Sequence, residues 1–394
     1  MQNKQEDNKN FIPFSLPYIS QDEIEEVIDT LKSGWITVGP KTKKFELKFM
    51  EYIGCKHALA LNSCTAGLHL ALVVNGIGNG DEVITTVYTF AATAEVIIHV
   101  GAKLILVDID KDTFNIDPEK IEKAITNKTK AIIPVHFAGH PCNMDRISQI
   151  ANKYNLCIIE DAAHALGAKF NGVNIGNIGD FTSFSFYATK NLTTGEGGMI
   201  TTNNDEYAEK LRSLSLHGLS NDAWKRYSSQ GSWFYEIKYP GYKYNMSDIQ
   251  AAIGLRQLEK FDSYQENRKN IVSIYNEGFR DLSELERPFV KDDVTHAWHL
   301  YVVRLKLESL KINRNEFIEE LARQNIGTSV HFIPLHLHPF YQNKYSSFPN
   351  AEYVYERVLS LPLYPNLKIE HVKRIIQTVK DTIYRYKKSH QFHF

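Results

Sequence analysis

Over the first two thirds of the chain, apolar positions alternate between helical spacing and short continuous runs. In residues 21–33 (QDEIEEVIDTLKS), Ile24, Val27, Ile28 and Leu31 recur at three- and four-residue intervals, and Gly34 supplies a stop. The run Ala58–Leu61 precedes NSCTAGLHLALVV, whose Leu68, Ala71 and Leu72 predict a second helix. Strands are expected at Glu82–Thr86, Lys103–Asp108, Ala131–Val135, Cys157–Ile159, Ser183–Phe186 and Gly198–Thr202, with a helix over Ala92–His99. Strands alternating with helices predict an α/β fold with a mostly parallel sheet covered on both faces. Ligands in such sheets sit outside the carboxyl ends of the strands. The residues that follow the apolar runs, Asn62–Thr65, Tyr88–Phe90, Asp161–His164 and Lys190, therefore become the positions of interest.

Residues 246–282 carry a helical pattern free of proline, which predicts a long connection into a second, smaller lobe. That lobe is expected to hold a strand at 299–305 (HLYVVRL), a helix around Arg314–Gln324, a strand around Thr328–Phe332 and a closing helix at 369–386. The division is a large domain at 12–260 and a smaller α+β C-terminal domain at 261–394.

Composition narrows the function. Hydrophobic residues make up 43% and charged residues 23% of 394, which suits a globular chain. Lys and Arg number 45 against 46 Asp and Glu, so no basic surplus argues for nucleic acid. No apolar run approaches the ~18 residues of a membrane span. The opening MQNKQEDNKN lacks the apolar core of a secretory leader, so a cytoplasmic location is expected. Cys55, Cys64, Cys142 and Cys157 form no C-x-x-C pair, and neither a disulfide scaffold nor a metal site is expected.

Lys190 follows the aromatic-rich FTSFSFYATK. Desolvation there lowers a lysine pKa and frees a nucleophilic amine; a surface lysine at a strand end is the plainer alternative. Asp161 ends IIED, where a carboxylate can hold a pyridinium nitrogen protonated, or can simply cap a helix. Asn62–Gly67 opens a helix with small and hydroxylated residues, suited to a phosphate or to an ordinary cap. Cys64 has no evident histidine to activate it. Gly76–Gly80 follows a helix and precedes a strand, the reverse of a dinucleotide-binding context, and reads as a turn. In HFIPLHLHP, Pro334 and Pro339 divide His331, His336 and His338, which favours substrate contacts over zinc.

The segments DAAHALGA, FSFYATKNLTTGEGGM, GYKYNMSDIQAAIGLRQL and GTSVHFIPLHLHPFY resemble the DegT/DnrJ/EryC1/StrS family of sugar aminotransferases, in order and spacing, from about residue 12 to 385. The resemblance implies a fold-type-I, aspartate aminotransferase-like enzyme that binds pyridoxal 5′-phosphate (PLP). It implies Lys190 as the Schiff-base lysine, Asp161 at the pyridine nitrogen, and His164 near the phenolic oxygen. Phe90 and Ala163 would pack on the two ring faces, and Thr65, Ala66 and Ser185 would hold the phosphate. Asn245 would reach that phosphate from a neighbouring subunit of a homodimer, unless it caps the helix that follows. Trp224, Arg226 and Tyr227, with His331 and His336, would surround the sugar, unless those segments are surface loop or core. The implied reaction moves an amino group from glutamate to a nucleotide-linked keto-sugar, with C4 of a UDP-linked 6-deoxy sugar the first choice. A PLP-dependent dehydratase or epimerase, or a non-enzymatic regulatory protein on the same scaffold, are the alternatives; family dehydratases replace the lysine by histidine, and Lys190 is present.

Overall fold

The computed structural model describes residues 11–219, 235–342 and 344–388. The chain opens with α1 (Gln21–Ser33) and α2 (Pro40–Ile53), then β1 (His57–Leu61), α3 (Cys64–Val74), β2 (Glu82–Thr86), α4 (Ala91–His99) and β3 (Lys103–Val107). It continues through α5 (Pro118–Ala124), β4 (Thr129–Ile133), α6 (Met144–Tyr154) and β5 (Cys157–Asp161). After a small hairpin of β6 (Lys169–Phe170) and β7 (Val173–Asn174) come β8 (Phe181–Ser185), β9 (Gly198–Thr202) and α7 (Asp205–Leu214).

A seven-stranded sheet has the order β1-β9-β8-β5-β4-β2-β3. Pairing is parallel from β8 to β3, while β9 runs antiparallel to both β1 and β8. The expected mostly parallel sheet is present. Its strands are buried on both faces, which is why they read as continuous apolar runs. The four segments of interest, Asn62–Thr65, Tyr88–Phe90, Asp161–His164 and Lys190, sit at or just beyond the ends of β1, β2, β5 and β8, on one side of the sheet.

α8 (Asp248–Gly278) is one continuous 31-residue helix that packs on α1, α2 and later α11. Residue 260, expected as a domain boundary, falls inside it. Ile12 pairs with Ile326 and packs in the C-terminal apolar cluster, so the first described residues lie with the smaller lobe. That lobe contains β10 (Leu285–Glu286), β12 (Tyr301–Leu305), α9 (Arg314–Arg323), α10 (Pro349–Tyr355), β13 (Val358–Leu361) and α11 (Ile369–Tyr386), while β11 (Val294–Thr295) pairs with β6 of the large domain's hairpin. The expected strand at Thr328–Phe332 does not form. β13 occupies the place beside β12, and the 328–332 segment makes a single bridge, Ser329 with Ser360. Ser329 is thus held by β13 without continuing the ladder, which leaves His331 free to turn toward the large domain.

α1 forms as its spacing predicts, with a Ser20/Glu23 capping box and Gly34 left-handed at its end. Its buried residues, however, are Glu23 and Thr30, whereas Ile24, Ile28 and Leu31 are 46%, 42% and 54% exposed. Within one chain this helix turns its apolar stripe outward. No helix among the described residues is long and apolar enough to cross a membrane.

Candidate active site

The carboxyl ends of β1, β2, β5 and β8 converge with the 298–300 and 331–332 segments around a cavity of about 490 Å³. Lys190, Asp161, His164, Phe90, Ala163, Thr65, Ser185 and His331 all line it.

Asp161 is the last residue of β5, and no helix begins at it, so the capping alternative fails. Its Oδ2 accepts from the Thr93 hydroxyl at 2.7 Å and its Oδ1 from the Ala163 amide at 3.1 Å. The preceding Glu160 anchors β5 from beneath: fully buried, it accepts from Gly179 N–H, Thr182 Oγ1 and His136 Nε2, the last at 2.8 Å. Cys142 N–H donates to His136 Nδ1, so the proton of that imidazole sits on Nε2, facing Glu160. Burial pushes the Asp161 carboxyl above its ordinary range. Among the described residues no Lys, Arg or His nitrogen lies within ion-pair distance of it. A buried carboxylate without a cation fits a ligand that brings one, and a protonated pyridine nitrogen does so.

His164 has a fixed tautomer. The Ala138 amide, in a turn where Ala138 takes φ 56°, donates to Nδ1 at 3.2 Å. The ring proton therefore sits on Nε2, which has no hydrogen-bond partner among the described residues, and the side chain lines the cavity. Burial holds this imidazole well below the usual histidine range, hence neutral. A neutral N–H donor suits a phenolate oxygen.

Lys190 lies in the turn after β8, its amide bonded to Tyr187 O. Its ammonium has no partner among the described residues, and burial lowers its pKa to about 8. The surface-lysine alternative fails on that placement. Phe90, at the N-cap of α4, is 65% exposed and faces Phe332 across the cavity at 6.2 Å.

At the phosphate end, Ser63 caps α3 and takes the Ala66 amide at 3.1 Å, so the capping alternative holds for that donor. Thr65 and Ser185 remain on the cavity wall, and the α3 N-terminus adds its dipole. The close approach of α3 to the sheet depends on Gly198. A Cβ there would sit 2.5 Å from Cys64 N and 2.6 Å from Ser63 O. Gly198→Ala is expected to destabilise the protein by roughly 1–3 kcal/mol through overpacking. It should also shrink the rise in Tm that added PLP produces, because α3 must shift. An unchanged Tm with and without PLP would contradict this.

Cys64 is buried, and its thiol, pushed up by burial, donates to Ser183 O, which argues against a nucleophile. No metal-holding cluster occurs among the described residues.

Three groups of expected residues stand apart. His336 does not line the cavity: its Nε2 lies 2.9 Å from Glu352 and its ring packs on Phe348. Asn245 lies beside Leu61 and does not line the cavity of its own chain; its Oδ1 is buried without a partner. It does not cap α8 either, since Ser247 does so with Gln250. Trp224, Arg226 and Tyr227 fall outside the described residues. Conversely, His299 lines the cavity and had not been singled out. Only its place ahead of the β12 run hinted at it, and His296 shares that signal.

The model of the DegT/DnrJ/EryC1/StrS aminotransferase family matches residues 17–380. The spore coat polysaccharide biosynthesis protein SpsC of Bacillus subtilis is 52% identical over 379 residues, covering 95% of this chain and 97% of its own. Spr1654 of Streptococcus pneumoniae, assigned as a sugar aminotransferase, superposes in its pyridoxamine-phosphate form with a TM-score of 0.89. It is 42% identical and covers 95% of this chain and 99% of its own. It is also known in a PLP form. PseC of Helicobacter pylori, an aminotransferase in pseudoaminic acid biosynthesis, superposes with a TM-score of 0.88 at 30% identity, covering 96% and 100%.

Proposed function

The chain belongs to the DegT/DnrJ/EryC1/StrS aminotransferase family, whose members use PLP, and from that premise we propose that it moves an amino group from glutamate to a nucleotide-linked keto-sugar. The sugar of first choice is a UDP-linked 4-keto-6-deoxy hexose, and the product would serve surface polysaccharide or glycan synthesis in the cytoplasm. The observation that carries this reading is the convergence of Lys190, Asp161 and His164 on one cavity. The relatives' printed roles in spore coat polysaccharide and pseudoaminic acid biosynthesis support a sugar acceptor.

Bound PLP supplies an electron sink for the carbon that loses its proton. Asp161 holds the proton on the ring nitrogen, and His164 Nε2–H donates to the phenolic oxygen. Phe90 and Ala163 would pack on the two faces of the ring. Thr65, Ser185 and the α3 N-terminus receive the phosphate dianion with neutral donors. Lys190 Nζ removes the proton from the donor's α carbon in the first half-reaction and returns one to the sugar carbon in the second. His331, held at Nδ1 by Ser360 at 2.9 Å, faces the sugar with a neutral ring, its pKa lowered to about 4 by burial. The aromatic and cationic side chains of Trp224, Arg226 and Tyr227 suit stacking on a base and binding of a diphosphate.

Glutamate added to the purified holoenzyme should bleach the visible absorption and release 2-oxoglutarate in equal amount. A panel of nucleotide 4-keto and 3-keto sugars should then restore it. Restoration by none, or dehydration without amine transfer, would favour the dehydratase alternative; no response to any amino acid or sugar would favour a regulatory protein.

The same reading includes a homodimer with shared sites. Its support is the exposed apolar stripe of α1, extended by Trp35, Ile36 and Leu47, together with the unpartnered Asn245 Oδ1. Lys190→Ala and Asn245→Asp variants, each inactive alone, should regain activity when refolded together. If Asn245 acts across the interface, a mixed dimer holds one site with neither defect. No recovery despite proven subunit exchange would end the shared-site reading.

A further inference from the structure

The loop 296–299 (HAWH) is strapped on three sides. Ala297 N–H donates to Gly139 O at 2.9 Å and His299 N–H to Ala138 O at 3.0 Å. Asn191, the residue after Lys190, donates Nδ2 to Ala297 O at 2.7 Å. Arg268 of α8, 2% exposed, donates to Trp298 O at 3.3 Å. Four contacts from three segments hold one short loop, and what they aim is the His299 ring. It stands 4.3 Å from the His164 ring, centroid to centroid, and both line the cavity.

The hydrogen bonds also fix the two rings in opposite tautomers. Because Asn191 Nδ2 faces a carbonyl, the atom it turns to His299 is Oδ1, which can only accept. His299 Nδ1, at 3.1 Å from it, must then carry the ring proton. Nε2 is left with its lone pair and has no hydrogen-bond partner among the described residues, on a side chain that lines the cavity. His164 is the reverse: its Nδ1 accepts from Ala138 and its Nε2 donates. This difference decides what each ring can do. His299 can take a proton on Nε2 and keep its bond to Asn191. His164 cannot become imidazolium without losing the Ala138 bond.

We propose that His299 is a catalytic residue whose Nε2 accepts a proton from the ammonium of the amino donor. The proposal rests on the aminotransfer reading above: the donor's nitrogen must enter the cavity that His299 and Lys190 both line. One N–H bond of the ammonium breaks and its electron pair stays on nitrogen, ready to attack. An Nε2–H bond forms, the imidazolium leans on Asn191 Oδ1, and the proton leaves to water at the cavity mouth. The charged or titratable groups that face His299 are His164, Lys190, Arg268 and His331. Burial first, and these neighbours next, keep the imidazole neutral at rest; they also make its charged form costly, so the ring holds the proton only in passing before water takes it.

Two readouts test it. In the cofactor-free protein labelled with ¹⁵N-histidine, His299 should show a protonated Nδ1 and a bare Nε2, and Asn191→Leu should erase that bias. In the holoenzyme, His299→Gln should slow the half-reaction with glutamate about 10²-fold near pH 7. The deficit should shrink at least about tenfold as pH rises toward the amine's own pKa, where solvent supplies the free base. Asn191→Leu should give a smaller deficit with the same pH trend. A purely structural residue would lose the same factor at every pH. A His299 found with its proton on Nε2, a deficit that ignores pH, or one below about threefold would each overturn the proposal alone. A wild-type enzyme inert toward every amino acid would instead overturn the aminotransfer reading, and this proposal with it.

Discussion

Lys190→Ala should reduce turnover by on the order of 10⁴-fold or more, because one side chain provides both the covalent tether for PLP and the base that moves the proton. The tether and the base use the same neutral amine. Burial lowers the pKa of that amine to about 8, below the ordinary lysine value of 10.5. A lowered pKa means that the fraction of free amine rises through pH 8 rather than above pH 10. Capture of PLP by the cofactor-free protein should therefore accelerate with pH and level off above about 8. Borohydride should fix the cofactor to the peptide containing Lys190 in the parent protein, and to no peptide in the variant. Fixation at another lysine, or capture that still rises steeply at pH 10, would refute the assignment.

Asp161→Asn should cost about 10²–10³-fold in turnover, or about 2.7–4 kcal/mol, the range for removing one preorganised electrostatic group. The substitution preserves size, and the two local bonds can survive it. The introduced amide can turn its carbonyl to the Ala163 N–H, and the Thr93 hydroxyl, itself 2.8 Å from Thr89, can reverse to accept. What is lost is the negative charge, which keeps the ring nitrogen protonated and the ring electron-poor. Cofactor affinity should fall far less than turnover, since the phosphate end and Lys190 are untouched. Titration of PLP followed by single-turnover kinetics would separate the two. A turnover loss below about tenfold, or an equal loss in affinity, would argue against this role.

The segments of sequence that read most clearly were those whose local signal and tertiary role coincide. β9 forms over Gly198–Thr202 and α11 over Ile369–Tyr386, because continuous burial and a helical apolar stripe respectively decide those stretches. Lys190, Asp161 and His164 were legible because each follows a strand in a fold that gathers strand ends at one edge. His299 was not legible, for it precedes its strand and depends on straps from Asn191, Arg268 and the 138–139 turn. His336 was misplaced for the opposite reason. It shares a histidine-rich segment with His331, yet Glu352, sixteen residues on, draws it away.

The sequence by itself determined the periodicities, and through them the α/β class, the mostly parallel sheet and the chemistry at its strand ends. It also carried the family. Tertiary structure alone decided which neighbours each polar atom meets, because those neighbours come from segments far apart in the chain. It turned the α1 stripe outward, replaced the Thr328–Phe332 strand by β13, and left Asp161 buried with no ion-pair partner among the described residues. It also gave two adjacent histidines opposite tautomers, since an imidazole's proton goes to whichever nitrogen faces an acceptor, and only the folded chain supplies Ala138 N–H to one ring and Asn191 Oδ1 to the other.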